Sequence, residues 1–190
     1  EAATSVLRAY ADEGITVSHV QDVMTLAMQN SAGQGDKVLQ IYGAMAKAAQ
    51  SAHTPFNDFA ALMEVVAKRG GDLQENGRAL KGMFDALNTD RAKQAIEGFG
   101  LSTIDLKGNV LSSLDVMREF SVFLEGKTTG QRESYISQIF NDRDVRNVVR
   151  TVTSAFSEVE TARTHALQVG AGEKAWETYM GSNRQKLDAY

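Results

Sequence analysis

The sequence predicts an all-α fold built from many short helices. Its 190 residues include a single proline, and proline is the residue that most strongly interrupts helices. Apolar residues recur at intervals of three and four along most of the chain, which is the period of one helix face. Capping residues precede many of these stripes and glycines follow them, as expected at helix starts and ends.

The predicted helices follow one another with short connections. Thr54 and Pro55 suit the cap and the first position of one helix, which ends before Gly70. Asp72 with Glu75 is close to a capping box and opens the next. The apolar stripes that define the predicted helices cover residues 17–27, 38–49, 56–66, 73–87, 92–99, 114–123 and 135–140.

The segment from Leu101 to Leu111 has a different pattern. Apolar and polar residues alternate up to Asp105, and β-forming residues resume at Val110. Gly108 lies between them at a position that suits a positive φ. We therefore predict one short β-hairpin near residues 102–111. A calcium loop is disfavoured, because the later positions carry apolar residues in place of oxygen ligands.

A heptad pattern begins after Asn141. From residue 142 to 169 there is no glycine and no proline, and eight apolar residues alternate in separations of three and four. This predicts one long helix, either packed on its own domain or paired as a coiled coil. The partner would be a terminal helix near residues 173–187 or the same helix of another copy. The predicted seam consists of Val145, Val148, Val152, Ala155, Val159, Ala162, Ala166 and Val169.

The change of pattern also predicts two parts of the chain. Residues 1–141 form a compact helical domain, and residues 142–190 form the long helix plus the terminal helix. Trp176 and Tyr179 lie three residues apart in that terminal helix, where they suit either a docking patch for a partner or simple packing. The chain starts without Met inside a helical pattern, so we expect a fragment of a longer protein.

Composition excludes several classes of function. A net charge of −4 without a Lys/Arg run argues against a protein that binds duplex nucleic acid. The absence of cysteine excludes disulfides and Cys-based zinc sites. No apolar run approaches the roughly 20 residues of a membrane span. His19, His53 and His165 are far apart and match no metal motif, so we expect no catalytic, cofactor-binding or metal site, and no enzyme.

Several short motifs occur in one order along residues 14–150. They are Gly14-Ile15-Thr16, a helix with Gly77, Ala79, Leu80 and Lys81, then Phe99-Gly100-Leu101, then Asp105, Gly108 and Asn109 followed by Leu114, Asp115 and Met117, and finally Ile139, Phe140 and Arg143. This order resembles the core region of tailed-phage tail tape measure proteins. Asn141 departs from the family pattern, which has glycine there; asparagine tolerates the left-handed conformation, so we expect the turn to survive.

The resemblance implies a structural part of a phage or prophage tail. Members of that family are large, mostly helical, multi-copy proteins inside the tail tube, and their length sets the tail length. We therefore expect self-association in several copies and contacts with tail tube and tail assembly proteins. The expected location is the tail interior of the virion, and the bacterial cytoplasm during assembly. The alternatives are a generic helical interaction or adaptor module and a fragment of a peptidoglycan-degrading tail enzyme.

The predicted fold class can be checked in solution. Far-UV circular dichroism of the 190-residue chain should show a spectrum dominated by α-helix, because the repeated caps and apolar stripes favour helices throughout. A spectrum dominated by β-structure would contradict the prediction.

Overall fold

Residues 2–30, 35–68 and 72–168, which this computed structural model describes, fold into ten α-helices and one 3-10 helix, with no strand among them. The predicted all-α class is confirmed. In chain order the helices are α1 Ala2–Ala9, the 3-10 helix Ala11–Glu13, α2 Val17–Gln29, α3 Gly35–Ser51, α4 Phe56–Lys68, α5 Leu73–Leu87, α6 Asp90–Gly98, α7 Ser113–Leu124, α8 Thr129–Ile139, α9 Arg143–Ser154 and α10 Phe156–Leu167.

Side-chain caps start most of these helices. The Asp72 carboxylate accepts hydrogen bonds from the backbone N–H groups of Gln74 and Glu75, as the near capping box predicted. The start of α4 differs from the prediction. The Thr54 hydroxyl donates to the Ala52 carbonyl. The Phe56 N–H donates to the carboxylate of Glu13 in the 3-10 helix. A carboxylate distant in sequence therefore replaces the expected local cap.

The predicted β-hairpin is wrong. The segment holds one isolated antiparallel bridge between Ile104 and Val110, inside a tight turn. The Asp105 carboxylate accepts hydrogen bonds from the N–H groups of Lys107 and Asn109. The Ser102 hydroxyl accepts from the N–H of Ile104 and donates to its carbonyl. These local bonds occupy backbone groups that a longer ladder would need.

The predicted continuous helix over residues 142–169 is also wrong. α9 ends at Ser154 and α10 begins at Phe156, and Ala155 between them has φ −117° and ψ 28°. The two helices pack on different neighbours, α9 mainly on α5 and α10 mainly on α4. Tertiary packing therefore overrides a heptad spacing that fits one uninterrupted helix.

α4 lies at the centre of the molecule. Ten of its 13 residues are buried, and it contacts α2, α3, α5, α7, α9 and α10. The ring of Phe59 lies 5.1 Å from that of Tyr42 and 6.2 Å from that of Phe84, measured between centroids. A second aromatic cluster joins the end of α6 to α7 and α8, and contains Phe99, Phe120, Phe123 and Tyr135.

The buried core continues past residue 141. α9 and α10 pack on helices that precede this residue, and their buried side chains belong to the same hydrophobic cluster. The packing of the described residues does not separate the two parts. The division of the chain into domains 1–141 and 142–190 stays a prediction.

Two glycines of α5 allow neighbouring helices to approach closely. A Cβ added at Gly77 would lie 2.7 Å from Ile41 Cγ2 on α3, and one added at Gly82 would lie 2.6 Å from Val145 Cγ2 on α9. Both distances are shorter than a carbon–carbon contact allows. The glycine of the Gly77-x-Ala79-Leu80 motif therefore sets the distance between α3 and α5.

Substitution of these glycines should destabilise the fold. Gly77→Ala and Gly82→Ala should each lower the free energy of unfolding by about 1–3 kcal/mol, because the added methyl overpacks a helix crossing. Urea denaturation measures the change. The matched control is Gly98→Ala, where the added Cβ meets nothing within 4 Å; it should be neutral or stabilising by up to about 1 kcal/mol. Equal stability of all three variants would contradict the close-approach argument.

Candidate assembly surface

The heptad residues face the interior of the chain. Val145, Val148 and Val152 lie on α9, and Val159, Ala162 and Ala166 lie on α10, with Ala155 at the break. Each of these seven side chains is at most 6% exposed. α4, α5 and α7 of the same chain supply contacts to α9 and α10. Val169, Trp176 and Tyr179 lie outside the described residues, so a partner patch at Trp176 and Tyr179 stays a prediction.

Two ion pairs attach α10 to other helices. Arg163 donates from Nε to Oδ1 of Asp58 on α4 at 2.5 Å. Arg118 on α7 pairs with Glu160 at 2.7 Å and also with Asp115. The Asp58 side chain is only 3% exposed, whereas Arg163 is 38% exposed. The first pair therefore joins an enclosed carboxylate to a guanidinium that water still reaches.

Asp58 is the most enclosed carboxylate of this group. Burial raises the pKa of the Asp58 carboxyl above its ordinary range, and the hydrogen bond and charge of Arg163 act against that rise. Arg163 thus supplies the main compensation for a charge that the surroundings disfavour. Local sequence patterns did not predict this pair, because its members lie 105 positions apart. The available signal was an acidic residue within the apolar stripe of α4.

The junction between α8 and α9 is closed by polar side chains. Asp142 caps α9, and Arg146 donates to the carbonyls of Phe140 and Asn141. Glu133 of α8 pairs with Arg150 at 2.7 Å. The backbone of Asn141 has no positive φ, so the expected left-handed turn at this residue is wrong. The turn is held by the Asp142 cap and by Arg146.

An apolar turn is exposed beside α7. Leu106 is fully exposed, and the bridged pair Ile104 and Val110 is about half exposed. The backbone N–H of Ser102 bonds Glu119 of α7, one helical turn before the exposed Val122. Large apolar side chains grouped at one surface are typical of interaction sites. This surface has no equivalent in the sequence predictions, which treated the segment only as a hairpin.

The histidines stay apart. His19 Nε2 lies 2.7 Å from Oδ1 of Asn57, His53 has φ 53° in a turn, and His165 is exposed on α10. Within residues 2–30, 35–68 and 72–168 no group of three His, Asp or Glu side chains is arranged to hold a metal ion. In the same ranges, none of the helices combines the length and the apolar character needed to cross a membrane.

Comparison with known proteins identifies the family. Residues 1–141 match the family model described as phage-related minor tail protein. The chain belongs to this family. It is also 25% identical over 164 residues to the probable tape measure protein of Escherichia phage P2, which covers 84% of this chain and 20% of that protein. No solved structure matches.

Both comparisons confirm the resemblance found in the sequence. The family is described as a minor tail protein and the phage P2 relative as a probable tape measure protein, which supports a structural role in a phage tail over an adaptor or a lytic enzyme. The chain spans about a fifth of the length of the phage P2 protein. The family match ends at residue 141, just before the Asp142 cap that opens α9 in this minor tail protein.

The buried ion pair gives a pH-dependent prediction. Arg163→Met leaves Asp58 charged and enclosed without its partner. The free energy of unfolding of the variant should therefore be lower by about 2 kcal/mol at pH 7, a smaller loss than for a pair in which both side chains are enclosed. A raised folded-state pKa means that stability is gained as pH falls and the carboxyl takes up a proton. The deficit of the variant should therefore shrink as pH falls toward 4. Thermal or urea unfolding across pH measures it.

The matched control removes an exposed pair. Lys81→Met breaks the Lys81–Asp85 pair, whose side chains are 49% and 55% exposed. It should change stability by under about 1 kcal/mol at neutral pH. An Arg163→Met deficit that is the same at pH 4 and pH 7 would contradict the role given to Asp58.

Proposed function

We propose that this chain is the folded core of a tape measure protein, which takes part in tail assembly and tail length determination. The observation that carries the proposal is the match of residues 1–141 to the minor tail protein family together with the similarity to the phage P2 tape measure protein. The colinear motifs support the same assignment, since their residues lie at helix crossings and junctions. Gly77 lies where α3 and α5 approach closely, and Phe140 is buried at the junction of α8 and α9.

The compact fold indicates which part of that function the domain serves. One α-helix of 190 residues would extend about 285 Å at 1.5 Å per residue. Here α3 is the longest of the described helices and has 17 residues, and the helices fold back onto α4. This region is therefore suited to organise assembly as a folded unit. A ruler needs extended helix, which other parts of a tape measure protein would supply.

The proposed partners follow from this role. We propose that several copies associate with one another and with tail tube and tail assembly proteins. The exposed turn with Ile104, Leu106 and Val110 is a candidate contact for such partners, since its apolar side chains are held outward by local hydrogen bonds. The proposed location is the tail interior of the virion, after assembly in the bacterial cytoplasm.

The function is tested in the phage or prophage that encodes this chain. An in-frame deletion of the codons for residues 2–168 should abolish normal tails in electron micrographs, because the assembly unit is missing. A Gly77→Val substitution should give the same defect, since its side chain overpacks the crossing of α3 and α5 more than alanine does.

Two controls make this result specific. A plasmid copy of the intact gene should restore tails, and Gly98→Ala should leave tail number and length unchanged, because its added Cβ meets open space. Normal, infectious tails in the deletion strain would overturn the proposed function.

A further inference from the structure

The break between α9 and α10 is marked by neither glycine nor proline, although Thr153 and Ser154 just before it bond backbone carbonyls three and four residues back. The heptad spacing continues through Ala155 without interruption, and residues 142–168 contain neither glycine nor proline. Alanine is the residue with the highest helix propensity, so the residue at the break favours the helix that it interrupts. Sequence and structure therefore disagree at one residue, between two segments that are both helical.

The start of α10 also lacks the feature that begins its neighbours. Side chains cap six of the described helices, namely those that follow Thr16, Asp72, Thr89, Ser112, Thr128 and Asp142. Among the described residues, no side chain caps α10 at Ala155. A helix start selected as a permanent terminus normally has such a cap. The start of α10 instead resembles the interior of a longer helix.

Contacts from outside the segment maintain the break. Ser121 of α7 donates its hydroxyl to the carbonyl of Thr153 at 2.9 Å. In a continuous helix that carbonyl accepts the N–H of Ser157. Next to it, the N–H of Glu158 bonds the carbonyl of Ala155, three residues back rather than four. The hydrogen bond from α7 thus gives the carbonyl at the end of α9 a partner from outside the segment.

α10 is attached through contacts that a second molecule is able to supply. Its buried face packs mainly on α4, and its charged side chains Arg163 and Glu160 pair with Asp58 on α4 and Arg118 on α7. Its contact with α9 is slight by comparison and lies next to the break. If residues 143–167 straighten, α10 leaves this position and exposes the buried face of α4. Another α10 is the only segment among the described residues whose shape and charges already fit there.

We propose that α10 is exchanged between two copies of this chain, with residues 143–167 of each copy forming one continuous helix. The proposal rests on the self-association proposed above and names the segment that mediates it. In the exchanged dimer each α10 packs on α4 of the other copy and forms the same two ion pairs. Because the buried contacts are the same in both forms, the balance depends on the hinge at Ala155 and on protein concentration.

Charge reversal at the exposed ion pair tests the exchange directly. Arg118→Glu places a carboxylate opposite Glu160 and beside Asp115, and Glu160→Arg places two guanidinium groups opposite each other. The wild-type side chains are 36% and 40% exposed, so both variants should keep their helical circular dichroism. When the two variants are mixed, opposite charges meet only if α10 of one molecule lies on α7 of the other. One variant is labelled with nitrogen-15, and native mass spectrometry separates the species.

The expected result is a mixed dimer that forms after incubation of the two variants and that neither variant forms with itself to the same extent. The mixed dimer should also unfold at a higher temperature than either variant alone. A mixture that contains only the species of the separate variants, at the highest concentration at which both stay soluble, would overturn the exchange.

A second pair of variants tests the hinge. Ser121→Ala removes the donor that bonds the Thr153 carbonyl in the unexchanged form. The association constant of the dimer should therefore rise about tenfold, as expected for loss of one modest hydrogen bond in each copy. The matched control is Ser137→Ala on α8, where the hydroxyl bonds a carbonyl of its own helix and should not affect dimerisation. Analytical ultracentrifugation measures both. An equal effect of the two variants, or none from Ser121→Ala, would contradict the role of α7 in the break.

The outcomes separate this inference from the proposed function. A wild-type dimer that is indifferent to Ser121→Ala and to charge complementation self-associates through another surface, which overturns the exchange and leaves the assembly role intact. Normal tails in the deletion strain overturn the assembly role whether or not α10 is exchanged.

Discussion

Burial of α4 on nearly all sides is the constraint on which the rest of this fold depends. A helix with ten buried residues of 13 needs neighbours around most of its circumference, and six other helices contact it. Asp58 is the more enclosed of its two buried acids and needs a cation, and Arg163 from the far end of the chain supplies one. The last described helix is therefore required to complete the environment of a helix near the start.

This requirement explains why the heptad segment forms two helices and not one. A strict spacing of three and four residues favours one straight helix with a partner along its whole length. The core offers two surfaces instead, one on α5 and one on α4, and a straight helix does not follow both. The segment bends at Ala155, where Ser121 takes the Thr153 carbonyl, and both halves bury their apolar face within the same chain.

A folded unit within a tape measure protein has a physical advantage for assembly. Long helices with exposed apolar seams associate readily and without a fixed register, whereas a compact bundle presents a limited surface. In this minor tail protein the valines and alanines of the heptad segment that the structure describes are covered, and three of the large apolar side chains exposed in the described residues lie together at the turn around Leu106. Contacts with other tail proteins would then be confined to a few defined places.

The sequence by itself determined the helical class, most helix positions, the cap at Asp72, and the positive φ of Gly108, because each depends on residues within about one turn. The order of short motifs also led to the tail protein family. Only the tertiary structure decided the break at Ala155, the cap of α4 by Glu13 and the pairing of Asp58 with Arg163. These features join residues 32, 43 and 105 positions apart, and local periodicity carries no information about contacts over such separations.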